Sequence, residues 1–388
     1  MHTRRLFTAL AVPGCALLAT TACQPRLGTF LPKSVDNATY AYTDCDIVTE
    51  AQALGVDIQR VQQVVESEGL NTTVVRLADA GIDSHLVFKA NGRSTALLPD
   101  DPDVPGDENA ATGTTVTEFR AELGQRLDEY QALTGGVAPL IAIENEANHD
   151  QFYNGTAQDY LTELAIATDV AHEHGVKITD SGVATKAVKL VAWNHLRVTR
   201  GTGVADTYLR TVFRSTDNPD DTPIRDQLLG VSQSDPDPYA HLSGAALRSN
   251  WRDAETMLDA FGNGTGQVRI DYVNFHWYTP DETNPTPYSD RQALTDTIDA
   301  FSEITGLPVV TNEIGKHGNG GGTDTAAVSD TLNVTTKEKK LALVIWFDAD
   351  GNPADGLFEP TNPGQLRPTG ETFRAYTTPA TYEPSECG

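Results

Sequence analysis

Basic residues are scarce in this chain: 28 Lys and Arg stand against 54 Asp and Glu, leaving a formal net charge of -26. A polyanion repels nucleic acid and anionic membrane surfaces, so neither is expected as a partner. A neutral polymer such as a glycan meets no such penalty. No glycine-rich phosphate fingerprint follows an early strand, which argues against a bound dinucleotide. No Gly-x-Ser-x-Gly nucleophile elbow occurs either, so serine hydrolase chemistry has no motif behind it. Metal-ligand patterns are equally thin. His172-Glu173-His174 sits at a helix end, where residues two apart do not face each other. Asp348-Ala349-Asp350-Gly351-Asn352, with Glu359 beyond, has the outline of a calcium loop, but Pro353 stands where the glycine belongs. No metal and no cofactor are expected.

Cysteines number four, and their placement goes with an export signal. Thr3-Arg4-Arg5-Leu6-Phe7 resembles a twin-arginine motif, and an apolar stretch runs on to Ala22. Pro13, Gly14 and several threonines interrupt it, and no charged tail holds it in place. A cleaved signal over residues 1–22 therefore fits better than a transmembrane anchor, which puts the mature protein outside the cell or at its surface. Cys15 lies inside this signal. Cys23 follows Leu18-Ala19-Thr20-Thr21-Ala22, a weak lipobox-like context. Two readings stay open there: a lipid-modified N-terminus tethered to a membrane, and ordinary cleavage. Cys45 and Cys387 remain, near the two ends of the fold, either as a disulfide or as two free thiols.

With 388 residues, 39% of them apolar and 7% aromatic, the chain can bury the core of one large domain. Residues 23–45 read as a tether leading to the fold, with a first strand at 38–42. The near-helical spacing of Ile47, Leu54, Ile58, Val61, Val64 and Val65 predicts a helix over 47–68, stopped by Gly69. The β-branched run 71–77 reads as a strand with Arg76 near its end. Further strands are expected at 84–89, 138–146, 176–180, 270–278, 307–313 and 341–347, and helices at about 116–133, 156–174, 242–261 and 290–305. Strands alternating with helices imply parallel pairing, and eight strands close a (β/α)8 TIM barrel over residues 46–388. An open doubly wound sheet is the alternative. The stretch from about 184 to 266 exceeds one barrel unit and reads as an insertion between the fifth and sixth strands. The acidic, proline-rich run 99–108 reads as a solvated loop.

Two of these strands end in carboxylates. One closes in Glu144-Asn145-Glu146, followed by Ala147-Asn148-His149, and the other in Thr311-Asn312-Glu313. An apolar strand has no use for a charge unless that charge lies at its mouth. In one barrel, Glu146 and Glu313 would face each other across the open end, as hydrolysis of a glycosidic bond requires. Asn145-Glu146 closing one strand, His276-Trp277-Tyr278 a later one, Glu313 the next and Trp346 the last resemble the clan A glycoside hydrolases, families 5 and 39 in particular. The resemblance spans about residues 71–348, by strand order rather than continuous similarity.

It implies that Glu146 is the general acid/base and Glu313 the nucleophile. Asn145 would bind the 2-hydroxyl, Tyr278 would donate to Glu313, and Arg76 would keep Glu313 ionised. His276 would line the site and Trp346 would floor it. Ala147 departs from the family, which commonly has proline there, whereas Asn148 fits. Strand alternation puts Glu144 on the face of Glu146; having no counterpart in the family, it reads as supporting the site. The expected function is a retaining glycoside hydrolase acting on a β-linked oligo- or polysaccharide. A catalytically inactive carbohydrate-binding barrel lipoprotein is the second reading, and a metal-dependent hydrolase on a barrel the third.

Overall fold

The structure, a computed structural model, describes residues 24–32, 41–90, 96–97, 114–215, 218–262, 268–280, 288–316, 324–347, 356–359, 361–378, 381–382 and 387. The expected signal over 1–22, Cys23, the 99–108 loop and the calcium-like run 348–352 lie outside these residues. Eight strands form the main sheet: β1 (Arg26–Phe30), β2 (Ile58–Val64), β3 (Asp83–Lys89), β4 (Ile141–Ile143), β5 (Ile178–Thr179), β6 (Val273–Thr279), β7 (Val309–Lys316) and β8 (Leu341–Phe347). Their order is β5-β4-β3-β2-β1-β8-β7-β6, and every pairing is parallel. Parallel bridges Thr179–Tyr272 and Val183–Phe275 join β5 to β6, so the sheet closes. The protein is a (β/α)8 TIM barrel.

Helices α1 (Asp44–Leu54), α2 (Thr72–Asp79), α3 (Val116–Thr134) and α4 (Ala157–Glu173) follow the first four strands. Thr43, Thr115 and Thr156 start α1, α3 and α4 with reciprocal capping boxes to Asp46, Glu118 and Asp159, which satisfy backbone donors that a helix start leaves open. Between β5 and β6 the chain inserts α5 (Thr185–Arg200), α6 (Thr202–Val212), α7 (Asp221–Leu228) and α8 (Ala245–Phe261), the expected insertion. Helices α9 (Asp290–Thr305) and α10 (Thr325–Thr335) complete the ring. A short antiparallel pair, β9 (Phe358–Glu359) and β10 (Asn362–Leu366), precedes α11 (Pro368–Arg374).

Inside the barrel, Phe30, Ile58, Leu140, Val310, Leu343 and Ile345 form a small apolar plug, separate from the larger core between strands and helices. Gly28 leaves room for it: a Cβ there would lie 2.6 Å from both Ile345 Cδ1 and Ile58 O. Toward the C-terminal mouth the buried interior becomes polar, with Arg60, His85, Asp180, Asn274, His276 and Asn312. Cys45, in the first turn of α1, is bonded to Cys387 with a Cα–Cα distance of 5.1 Å. No described helix is long and apolar enough to cross a membrane.

Three local expectations are corrected. The first strand is β1 within the stretch expected to be a tether, so the barrel begins at Arg26; residues 38–40 of the expected strand lie outside the described residues. The expected helix over 47–68 is α1 followed by β2, and the expected strand over 71–77 is α2. On β2 both faces bury polar groups: Gln59 bonds Glu50 of α1, while Arg60 reaches into the barrel. Ile58, Val61 and Val64 then leave a spacing of three that imitates a helix. In α2, the Asn71 side chain caps Thr73 N–H, and burial of Thr73, Val74 and Leu77 overrides β-branched preference.

Candidate active site

The mouth of the barrel is built where β2, β4, β6 and β7 end. β4 stops at Ile143 and the chain turns at once. Glu144 and Glu146 have φ of 62° and 47°, the non-glycine residues with positive φ among those described. Left-handed backbone costs an L-residue about 1–2 kcal/mol. Glu144 N–H donates to Phe88 O at 2.7 Å, Glu146 N–H to Ser181 O at 3.1 Å and Ala147 N–H to Ser181 Oγ at 3.0 Å, which holds the turn. The turn also breaks the expected strand alternation. The Glu144 carboxylate accepts from Ala90 N–H at 2.7 Å and interacts with Glu163 of α4, whose carboxyl burial and the Glu144 charge push up. Glu146 instead meets His276 of β6, with Oε1 2.7 Å from Nδ1.

Glu313, on β7, accepts at both oxygens. Tyr278 donates its hydroxyl to Oε1 at 2.6 Å, and Arg60 donates Nη1 to Oε2 at 2.8 Å. Arg60 also donates to Asn312 O at 2.9 Å and through Nη2 to Asn145 Oδ1 at 2.6 Å, while its guanidinium lies 4.6 Å over the Phe30 ring. Burial alone would raise the Glu313 carboxyl. The charges of His276 and Arg60, with the bonds from Tyr278 and Arg60, outweigh it and hold the carboxyl below its ordinary range. Burial and the Glu313 charge push the Tyr278 phenol well up, so it stays a donor.

Burial works against a charged His276 ring, but Glu313 and the bond to Glu146 more than offset it, and the ring titrates above its ordinary value. A carboxylate oxygen of Glu146, one of Glu313 and a ring nitrogen of His276 all lie within 4.8 Å of one another. Among the described residues this is the one group of three tight enough to hold a metal ion. Its atoms are engaged by protein partners, since Arg60 and Tyr278 occupy Glu313 and His276 faces Glu146. Chemically, the site offers one carboxylate held ionised, Glu313, and a second carboxyl, Glu146, hydrogen-bonded to an imidazole.

No family model matches the chain, and no curated protein matches it. Solved structures that it resembles include three glycoside hydrolases. A GH128 (subgroup I) endo-beta-1,3-glucanase from Amycolatopsis mediterranei, in complex with laminaritriose, is 12% identical over 90% of this chain and 99% of its own, with a TM-score of 0.47. A GH128 (subgroup II) endo-beta-1,3-glucanase from Sorangium cellulosum is 15% identical over 92% and 100%, also at 0.47. A family 39 glycoside hydrolase from Bacteroides cellulosilyticus WH2 is 12% identical over 91% and 64%, at 0.46.

Of the residues singled out in the sequence, Asn145, Glu146, His276, Tyr278 and Glu313 come together at the mouth. Two do not. Arg76 lies on α2, outside the barrel wall, with a partly exposed side chain 3.9 Å from Asp79; the arginine beside Glu313 is Arg60. Trp346 points outward from β8, fully buried, with its ring edge against Phe373 of α11 at 6.1 Å. The inward aromatic is its neighbour Phe347, 5.6 Å from the Phe30 ring and 6.1 Å from that of Tyr278. Sequence reading also passed over Asn312, His85 and Asp180. Parity was the available signal for Phe347: Leu343 and Ile345 face inward, so position 347 does too.

Proposed function

We propose that the protein is an exported retaining glycoside hydrolase acting on a β-linked glycan, with Glu313 as nucleophile and Glu146 as general acid/base. The observation that carries this reading is the asymmetry of two close carboxyls. Glu313 is held ionised by Arg60 and Tyr278, and Glu146 is bonded to His276, with oxygens of the two within 4.8 Å. Retaining enzymes keep their carboxyls about 5–5.5 Å apart, whereas inverting ones need about 6.5–9.5 Å to admit a water; the closeness here favours double displacement. Glu313 would attack the anomeric carbon while Glu146 protonates the leaving oxygen. Glu146 would then take a proton from the water that releases the sugar from Glu313.

Asn145, oriented by Arg60, would bind the 2-hydroxyl, and Phe347 would supply the apolar surface beside the cleaved sugar. The site's own groups suffice for these steps. The test is Glu313→Gly on aryl β-glycosides with azide. Hydrolysis should vanish, and azide should restore turnover to a glycosyl azide of inverted configuration. Unchanged hydrolysis in that variant removes Glu313 from the role. Binding without turnover in the wild type, across aryl glycosides and polysaccharides, favours the inactive carbohydrate-binding barrel.

A further inference from the structure

Behind the Glu146–His276 pair runs a chain of hydrogen bonds whose direction is fixed at its far end. His85, on β3 and fully buried, places Nδ1 2.9 Å from the carbonyl oxygen of Leu140. A carbonyl can only accept, so Nδ1 of His85 carries a proton. Burial holds this ring down to about 3, so it is neutral and its Nε2 bears a lone pair. That lone pair lies 3.2 Å from Asn312 Nδ2, which orients the amide, and Asn312 Oδ1 then faces His276 Nε2 at 2.9 Å. An amide oxygen can only accept, so His276 Nε2 carries a proton as well.

The amide is braced from its own backbone. Asn312 N–H donates to Asn274 Oδ1 at 3.1 Å, and Asn274 N–H donates to Asp180 Oδ2 at 2.9 Å. Gly182 closes the remaining side: a Cβ there would lie 2.3 Å from His276 Nε2.

We infer that Asn312 and His85 are positioning residues that lock His276 in its Nε2–H tautomer, so that Nδ1 is left to share one proton with Glu146. The inference rests on the glycoside hydrolase reading for its catalytic meaning, not for its geometry. With Nε2 protonated, His276 Nδ1 either accepts from a protonated Glu146 or, as imidazolium, donates to its carboxylate. In the opposite tautomer, Nδ1–H would donate to Glu146 permanently and the carboxyl would have no base to pass its proton to. The groups that bear on the ring are Glu146, Glu313, Arg60 and Asp180, with His85 behind Asn312 and Tyr278 acting through its bond to Glu313. Arg60 and the carboxylates act in opposite senses, so the ring's response to pH is tuned by Glu313 as well as by its own bond.

The experiment uses the full-length protein labelled with 15N-histidine, followed by NMR from pH 4 to 9, together with pH profiles of kcat and KM. In the wild type, His85 should remain a neutral Nδ1–H ring throughout, and His276 should keep Nε2 protonated while Nδ1 titrates. Asn312→Leu frees the ring: an Nδ1–H population should emerge and kcat should fall roughly ten- to a hundredfold, part of what general acid–base catalysis supplies, with KM changed less than about threefold. Asn312→Asp places a carboxylate behind Nε2 and should move the basic limb of kcat/KM up by about one pH unit. A wild-type His276 in the Nδ1–H tautomer overturns the lock, as does an unmoved basic limb in folded Asn312→Asp together with an unchanged kcat in folded Asn312→Leu. Should the tautomers be as inferred while no glycoside is turned over, the hydrolase reading fails and the lock stands.

Discussion

Arg60 and Glu313 meet at 2.8 Å across the barrel mouth, joining β2 to β7 with an arginine side chain that has no exposure to solvent. A buried pair broken on one side leaves a charge without compensation, at about 3–5 kcal/mol. Arg60→Ala should therefore lower the melting temperature and reduce kcat/KM at least roughly a hundredfold, since Glu313 loses its cationic donor and keeps only Tyr278, and Asn145 loses the Arg60 bond. Arg76→Ala removes a partly exposed helix residue and should change stability by no more than about 0.5 kcal/mol, with unchanged kinetics. Thermal unfolding and steady-state kinetics on the two variants decide this; comparable losses in both would undo the assignment of Arg60.

The same contrast separates two neighbours on β8. Trp346→Ala empties a buried space against Phe373 and should cost about 3–5 kcal/mol of stability. Phe347→Ala, at a partly buried ring, should cost less stability than Trp346→Ala but weaken the apolar surface at the mouth by about 1 kcal/mol, roughly a fivefold rise in KM. Urea unfolding and KM measured on both variants check the pair. A rise in KM for Trp346→Ala alone would return the floor of the site to Trp346.

Much of this was legible in the sequence, and the failures at β2 and at the β4 turn have physical causes. Residues 84–89 and 341–347 stand out because both faces of β3 and β8 are buried, and 290–305 because α9 buries one face at helical spacing. The carboxylate endings of β4 and β7 stood out because charge interrupts an apolar run. β2 was hidden because function loads it with polar groups: Arg60 faces the site, and Gln59 faces Glu50. Reading β2 as helix then moved the arginine role to Arg76. The turn at Glu144 and Glu146 was invisible for a related reason. Left-handed backbone at glutamate has no propensity signal, and backbone bonds from other strands impose it.

Glu146 and Glu144 differ in what they face, so their variants should differ in leaving-group dependence. Glu146→Ala should cut kcat/KM by roughly 10²–10⁴-fold for glycosides whose leaving groups need a proton, and far less for activated aryl glycosides. Glu144→Gln keeps the shape that accepts from Ala90 N–H and should show no such dependence. A series of aryl glycosides of graded leaving-group acidity provides the readout. A flat response in Glu146→Ala with a steep one in Glu144→Gln would exchange their roles.

The last expectation concerns stability rather than catalysis and comes from an acid remote from the mouth. Glu50 of α1 is fully buried, bonded by Thr29 and Gln59, and burial pushes it from 4.5 up to about 8. Below pH 4.5 the folded and unfolded chains both hold this proton. Between 4.5 and 8 the unfolded chain releases it and the folded chain keeps it, so stability falls as pH rises, by up to about 1.4 kcal/mol per unit. Asp180 and Glu255, each raised by burial to about 7, act in the same sense over much of that window. The wild type should accordingly be more stable to urea at pH 5 than at pH 8. Glu50→Gln keeps the volume and cannot ionise, so its stability should decline less over the same interval and exceed the wild type's at pH 8. Wild-type and variant curves that run parallel from pH 5 to pH 8 would mean that Glu50 is ionised in the folded protein, with its charge compensated by Thr29 and Gln59.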